Sequence, residues 1–415
     1  MAFIDSVDRG ILPGVINLVE KDLHISDTQA GLLGSIFIFM TFVAVIPAGY
    51  MADRFMRKRV IAIALASWGV ISAVNATVRS FWQFLTVRAV LGVGETVNSP
   101  AAQSMLADYY PATLRGRAYA YQRVAPIVGY AVGLGVGGAV GSALGWRAAF
   151  LIVGVPGSLL ALWVFRLREP ARGESDRTDE EGAGALIEKA AQRGLAPLLA
   201  DLKVVARVPS LRALSVGTAI SAGATNGFGF WAAAFYQRHT SLHGGKATSI
   251  VGLVILVGAA AGTIIGGRAA DRARVRDPGA PMRLAGVTQF TAGVVLALTF
   301  LHQPLFIRIP AQLIGVALVV AAFPALAAMT SQVVPPQIRG TAFALTGFLS
   351  ALASAASPLL IGAIADRFPI HVHGKAEGNL AIAFICVSPL ILIGALVVLN
   401  GRRHVERDIA AVASS

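Results

Sequence analysis

Of the chain's 415 residues 55% are hydrophobic and 14% charged, with a mean hydropathy of +0.68; soluble globular chains carry roughly 25% charged residues, so a predominantly water-soluble architecture is excluded. The lone cysteine, Cys386 inside an apolar run, rules out an intramolecular disulfide framework and a Cys-based zinc cluster. The net charge of +13 fits either nucleic-acid binding or membrane orientation, and the positions of the charges decide between them.

No basic start followed by an apolar stretch and a small-residue cleavage site is present, so nothing reads as a removable signal peptide. Apolar runs fall at residues 3–19, 28–50, 60–78, 81–106, 118–141, 146–165, 213–236, 247–270, 284–301, 306–330, 341–365 and 379–400. Each is close to the length of about 20 residues that crosses the hydrocarbon. The reading is an all-α membrane protein of twelve spans in two pseudo-symmetric six-helix bundles, residues 1–165 and 210–402. A linker, 166–209, joins them, and 403–415 form a tail. The linker runs through Glu174, Asp176, Asp179, Glu180 and Glu181, a composition that cannot build a core. Its later part alternates apolar and charged residues, as an amphipathic helix on the membrane surface or a solvated helix would.

Alternate loops carry 24 and 8 Lys and Arg residues. The basic side is cytoplasmic by the positive-inside rule, which puts both termini and the linker there, in a plasma (inner) membrane. The positive balance is therefore topology, and no nucleic-acid surface is expected. Two motifs recur at equivalent places in the halves. Gly-x-x-Ala-Asp-Arg stands at Gly49–Arg54 and Gly267–Arg272, and Pro-x-x-(Leu/Ile)-Arg-Gly-x-Ala at Pro111–Ala118 and Pro335–Ala342. Duplicated halves around a central site are a transporter construction.

Charged groups at membrane depth cost at least about 2.5–3.5 kcal/mol each and call for a partner, water or a function. Asp5 and Arg9 are one helical turn apart and can pair, while Asp8 turns to a neighbouring face. Arg88 and Glu95 are seven apart, on one face of span 4. The functional reading makes Asp8 and Glu95 proton-exchanging carboxyls and Arg9 and Arg88 the holders of an anionic headgroup. The bland reading is an ion-pair network that only orients helices. Arg123, six residues into span 5, reads as snorkelling to the surface.

Spans 7, 10 and 11 hold no acidic or basic residue away from their ends. They offer Thr225, Asn226, Phe228, Trp231 and a Thr346, Ser350, Ser354 row. With Asn98 in span 4 they are candidates for a cavity charged on one wall and apolar on the other, suited to an anionic or zwitterionic amphiphile. Core packing of the aromatics and close helix contact through the hydroxyl row are the alternatives. No Gly-x-x-x-x-Gly-Lys-(Ser/Thr) loop occurs, so ATP is not the direct energy source. No His-Glu-x-x-His occurs, and His371 with His373 makes a poor metal pair. No cofactor, metal or catalytic residue is expected. A channel or membrane enzyme lacks its pore ring or catalytic cluster here.

At this point the residues resemble the major facilitator superfamily. Gly49-Tyr-Met-Ala-Asp53-Arg54-Phe-Met-Arg57-Lys58-Arg59 resembles its loop between helices 2 and 3, with Met56 where many members have glycine, and Arg88-x-x-x-Gly92-x-Gly94 a second motif. Asp8-Arg9, Gly94-Glu95, Gly145-Trp146-Arg147-x-x-Phe150 and Glu169-Pro-x-Arg-Gly173 together resemble the spinster-like lipid transporters. Only seven residues precede Asp8, so either the first helix is short or the start lies upstream.

The resemblance implies a monomeric, proton-coupled carrier of lysophospholipid or a similar amphiphile, working by alternating access in the lipid bilayer. A small organic-anion symporter or a drug exporter of the same superfamily is the alternative. It also implies that helices 5 and 8 meet through glycine stripes at Gly129, Gly133, Gly137 and Gly141 and at Gly258, Gly262 and Gly266. Asp53 and Asp271, with Arg54, Arg57, Arg115 and Arg339, are expected to latch the cytoplasmic side in one state.

Overall fold

The computed structural model describes residues 1–96, 98–110, 112–170, 203–335, 338–372 and 375–413. Its helices are α1 (Ala2–Leu23), α2 (Asp27–Arg54), α3 (Arg57–Val74), α4 (Phe81–Thr96), α5 (Asn98–Tyr109), α6 (Ala112–Leu144) and α7 (Trp146–Phe165). After the linker come α8 (Pro209–His239), α9 (Gly244–Arg276), α10 (Ala280–Thr299), α11 (Leu305–Gln332), α12 (Arg339–Asp366), α13 (Leu380–Gly401) and α14 (Val405–Ala413). A hairpin, β1 (Pro369–Val372) with β2 (Lys375–Gly378), joins α12 to α13, antiparallel with Pro369 opposite Gly378.

Among the described residues nine helices are long and apolar enough to cross a membrane. The expected spans outside that set are α1, α4 and α8. Asp5, Asp8, Arg9, Glu20, Lys21 and Asp22 lie on α1, Arg88 and Glu95 on α4, and α8 is rich in Gly, Ser and Thr. Polar groups at membrane depth concentrate on helices that border a wet or functional interior, so α1 and α4 direct attention to the site.

Two compact units make up the chain. The first holds Met1–Ile25, Leu32–Arg193 and Ser241–Gly252; the second holds Ser26–Gly31, Gly194–Thr240 and Leu253–Ser415. In the first unit a glycine seam joins α1 to α6. A Cβ on Gly133 would strike the Val7 carbonyl, one on Gly129 the Phe3 carbonyl, and one on Gly10 the Tyr130 carbonyl. Backbones at this distance gain dispersion contact that lipid cannot supply. A second close pair is α3 with α7, where Gly154 meets the backbone of Gly69 and Ala73, and Gly157 meets Trp68.

Helices α6 and α9 do meet, with Gly252 on the Ala131 carbonyl and Gly138 on Thr248, but the expected stripes serve other partners. Gly129, Gly133, Gly137 and Gly141 face α1, and Gly258, Gly262 and Gly266 face Val316, Ala317 and Ala321 on α11. A four-residue glycine spacing dictates a close helix neighbour and leaves its identity to the rest of the packing.

In the second unit Asp366 caps the start of α2, accepting from Asp27 N at 3.1 Å, Thr28 N at 2.9 Å and Thr28 Oγ1 at 2.6 Å. The Asp27 side chain accepts from Arg238 Nη1 at 2.9 Å on both oxygens, and Arg238 Nε lies 3.3 Å from Glu377. The expected tail after 402 carries structure of its own. Arg402–His404 make a 3-10 turn, α14 follows, Val405 is fully buried, and Asp408 accepts from Ser210 N at 2.9 Å. The physical reason is amphipathicity. Val405 joins a core of Val205, Leu211, Met282 and Met329, and Asp408 satisfies an amide at the opening of α8 that has no partner within the helix.

Candidate functional site

Consecutive residues on a helix point about 100° apart, so Asp8 and Arg9 serve different neighbours. Asp8 is fully buried and faces α3 and α4, accepting from the Ser72 hydroxyl and lying 3.8 Å from Arg88 Nη1. Arg9 reaches Glu95 on α4, with Nε 2.6 Å from Oε1, and its side chain is 44% exposed against 3% for Glu95. The two ion pairs thus cross from α1 to α4. Arg9 pairs with Glu95 and not with Asp5, the one-turn partner expected from the sequence. Helical spacing made Asp5 available, but the approach of α4 offers a second carboxylate at closer range.

α4 also packs closely on α2 at Gly92, one turn after Arg88, where a Cβ would strike the Phe37 carbonyl. Thr96 Oγ1 donates to Thr41 O at 3.1 Å and Gly92 O at 2.8 Å, tying the same two helices. The Phe37 ring lies 4.7 Å from the Arg88 guanidinium carbon and 5.3 Å from that of Arg9. The ring face stabilises both cations without neutralising either carboxylate.

Among the described residues several atoms of the cluster have no hydrogen-bond partner: Arg88 Nε and Nη1, Asp8 Oδ2, Glu95 Oε2 and Asp5 Oδ1. Buried polar atoms are almost always paired, so these positions suit water molecules as well as a bound group. A cavity of about 680 Å³ adjoins Asp5, Arg9 and Glu95. Asp5, Ser6, Arg9 and Glu95 form its polar wall, and Met105, Leu106, Tyr109, Tyr121, Val164 and Leu167 line the rest. Its size lies in the range of small-molecule sites. Asp8 and Arg88 do not line it.

In the second unit Phe228 and Trp231, candidates for a cavity wall, are core residues. Phe228 stacks among Phe300 and Phe384 with centroids 4.9 Å away, and the fully buried Trp231 donates Nε1–H to Pro358 O at 2.9 Å. Thr346 and Ser215 hydroxyls lie 2.7 Å apart, so this part of the row is close helix contact between α8 and α12. The Ser350 hydroxyl has no hydrogen-bond partner, and Asn226 is half-buried.

Of the expected latch, Arg57 lies within the first unit. It is buried, paired with Asp108 and with Glu169 at 3.0 Å, and donates to Pro170 O at 2.7 Å. Glu169 also accepts from Lys58 N at 2.8 Å, so it caps the start of α3 while neutralising Arg57. Asp271 and Arg339 are exposed. The side chains of Asp53, Arg54, Asn98, Arg115 and Arg123, and all of His373, lie outside the described residues. Sequence reasoning missed Ser72 and Asp108; a serine inside an apolar run gives no signal, but Asp108, acidic at the end of span 4 beside a basic loop, could have been paired with Arg57.

Residues 1–358 match the family profile of the Major Facilitator Superfamily. The chain belongs to that superfamily. Within it the spinster type is shown by similarity to Protein spinster homolog 3 of Danio rerio, 30% identical over 387 residues, covering 88% of this chain and 74% of that relative. Protein spinster homolog 1 of Xenopus tropicalis is 27% identical over 400 residues, covering 91% and 73%. An MFS-type efflux pump of Mycolicibacterium smegmatis is 27% identical over 419 residues, covering 98% and 91%. The fold is that of a bacterial homologue of the human lysosomal transporter Spinster, solved inward-facing and unoccupied, with a TM-score of 0.86 at 23% identity, covering 98% of this chain and 96% of that one. The protein is a multi-pass membrane transporter of the spinster type and not an enzyme.

Proposed function

We propose that the protein is a proton-coupled carrier of a lysophospholipid or similar anionic or zwitterionic amphiphile, working by alternating access. The observation that carries this reading is the composition of one cavity. The wall with Arg9, Glu95 and Asp5 offers a guanidinium fork to a phosphate or carboxylate and carboxyls to a proton. The Met105, Leu106 and Val164 side suits a hydrocarbon chain. Glu95 takes a proton when the cavity is wet, which frees Arg9 for the headgroup; losing it restores the Arg9–Glu95 pair and releases the substrate. Asp8 and Arg88 form the buried second pair of the coupling cluster. The carrier is a monomer in the plasma (inner) membrane with its basic loops and both termini cytoplasmic.

Uptake into liposomes with and without an imposed pH gradient tests the coupling. Gradient-driven transport is expected in the parent and lost in Glu95→Gln; a variant that keeps it removes Glu95 as the proton carrier. A thermal-shift comparison of lysophospholipids with sugar acids tests the substrate class. Stabilisation by the hydrophilic acids alone contradicts the amphiphile reading and favours a small organic-anion carrier. The similarity to an efflux pump supports a second reading, a drug exporter, for which hydrophobic cations would stabilise the protein instead.

A further inference from the structure

We propose that Ser72 is a positioning residue that divides labour between the two buried carboxyls: it holds Asp8 as the fixed counter-ion of Arg88 and leaves Glu95 as the carboxyl that takes the proton. The inference rests on the proton coupling proposed above and deepens it.

Ser72 lies on α3 and is fully buried. Hydroxyls on neighbouring helices, those of Thr86, Thr96 and Ser158, donate to the carbonyl four residues back in their own helix. Ser72 instead donates a hydrogen bond to Asp8 Oδ1 across to α1. This bond favours the ionised carboxylate and leaves Oδ2 directed to Arg88, 3.8 Å away.

The charged groups around Asp8 are few. Arg88 faces it from α4, and Arg9, with Asp5 and Glu95 more remote, completes the set. Along α6, packed on α1 by its glycines, the titratable groups among the described side chains are Tyr121 and Tyr130. On α7 the charged residue is Arg147, engaged with Asp22 at 2.7 Å. Ser72 is thus the neutral donor held against Asp8, beside the Arg88 guanidinium. Asp8 does not line the cavity and Glu95 does, so a proton arriving from the cavity meets Glu95 first.

The test is an infrared pH titration of the purified full-length protein, following the high-frequency band of a buried protonated carboxyl. Asp5→Asn serves as the background, because Asp5 also lines the cavity. One titrating band is expected there, and Glu95→Gln removes it. Adding Ser72→Ala brings a band back from Asp8, with its midpoint moved up by about one to two pH units, the worth of a hydrogen bond to a charged group. Ser72→Thr, which keeps the hydroxyl, leaves the band absent and serves as the rescue control. The proposal is overturned if Ser72→Ala restores no band, or if a band survives Glu95→Gln while Ser72 is intact. Failure of the underlying reading has its own signature: gradient-driven uptake that persists in Glu95→Gln, whatever the spectra show.

Discussion

Replacing Arg88 by Met tests the asymmetry between the two ion pairs. Arg88 and Asp8 have side chains 3% and 0% exposed, whereas Arg9 is 44% exposed. Removing the guanidinium leaves Asp8 as a buried carboxylate with the Ser72 hydroxyl and, farther off, Arg9. Breaking a buried pair from one side costs about 3–5 kcal/mol, because the remaining charge is uncompensated. Arg9→Met leaves Glu95 on the wall of a cavity that water can enter, so its cost is discounted to about 1–2 kcal/mol. Asp8→Asn combined with Arg88→Met removes both charges, and most of the loss is recovered. Reversible unfolding in mixed micelles measures all four proteins. The reasoning fails if Arg88→Met is no more damaging than Arg9→Met, or if the double variant is no more stable than Arg88→Met alone.

Gly133→Ala, whose Cβ would strike the Val7 carbonyl, is expected to cost about 1–3 kcal/mol, whereas Gly94→Ala, with open space at its Cβ, is neutral; thermal unfolding of both checks the α1–α6 seam. Asp366→Ala removes the cap from α2 and is expected to cost about 1 kcal/mol or more, with faster amide exchange at Asp27 and Thr28. The Asp277 carboxyl, outside the spans, is held below the usual carboxylate range by the Gly279 N–H and by Arg402. Its contribution to stability is complete above the unfolded value of about 3.9 and declines as pH falls through the lower folded value. Asp277→Asn therefore flattens the acid side of a stability-versus-pH curve, and an unchanged curve contradicts the assignment.

Hydropathy made the spans legible, since α2, α3, α6 and α7 follow directly from apolar length. Rarity made the site legible: Asp8, Arg9, Arg88 and Glu95 are conspicuous because charges at that depth are costly. Pairing was not legible. Whether Arg9 takes Asp5 or Glu95 depends on how near α4 comes to α1, which no local pattern records. Asp27 and Arg238 sit at helix ends, where charges ordinarily meet water, so their burial against each other, 211 residues apart, left no trace in composition. The glycine stripes carried a distance of approach without a partner's name. Phe228 and Trp231 carried bulk without a direction, and their surroundings made them core.

Proton movement accompanying substrate bears most directly on the account. With a pH-sensitive dye sealed inside proteoliposomes, adding lysophospholipid at equal pH and zero membrane potential is expected to change the internal pH for the parent protein and not for Glu95→Gln. A lysophospholipid flux that leaves the internal pH unchanged in the parent, or an equal pH change in both proteins, contradicts it.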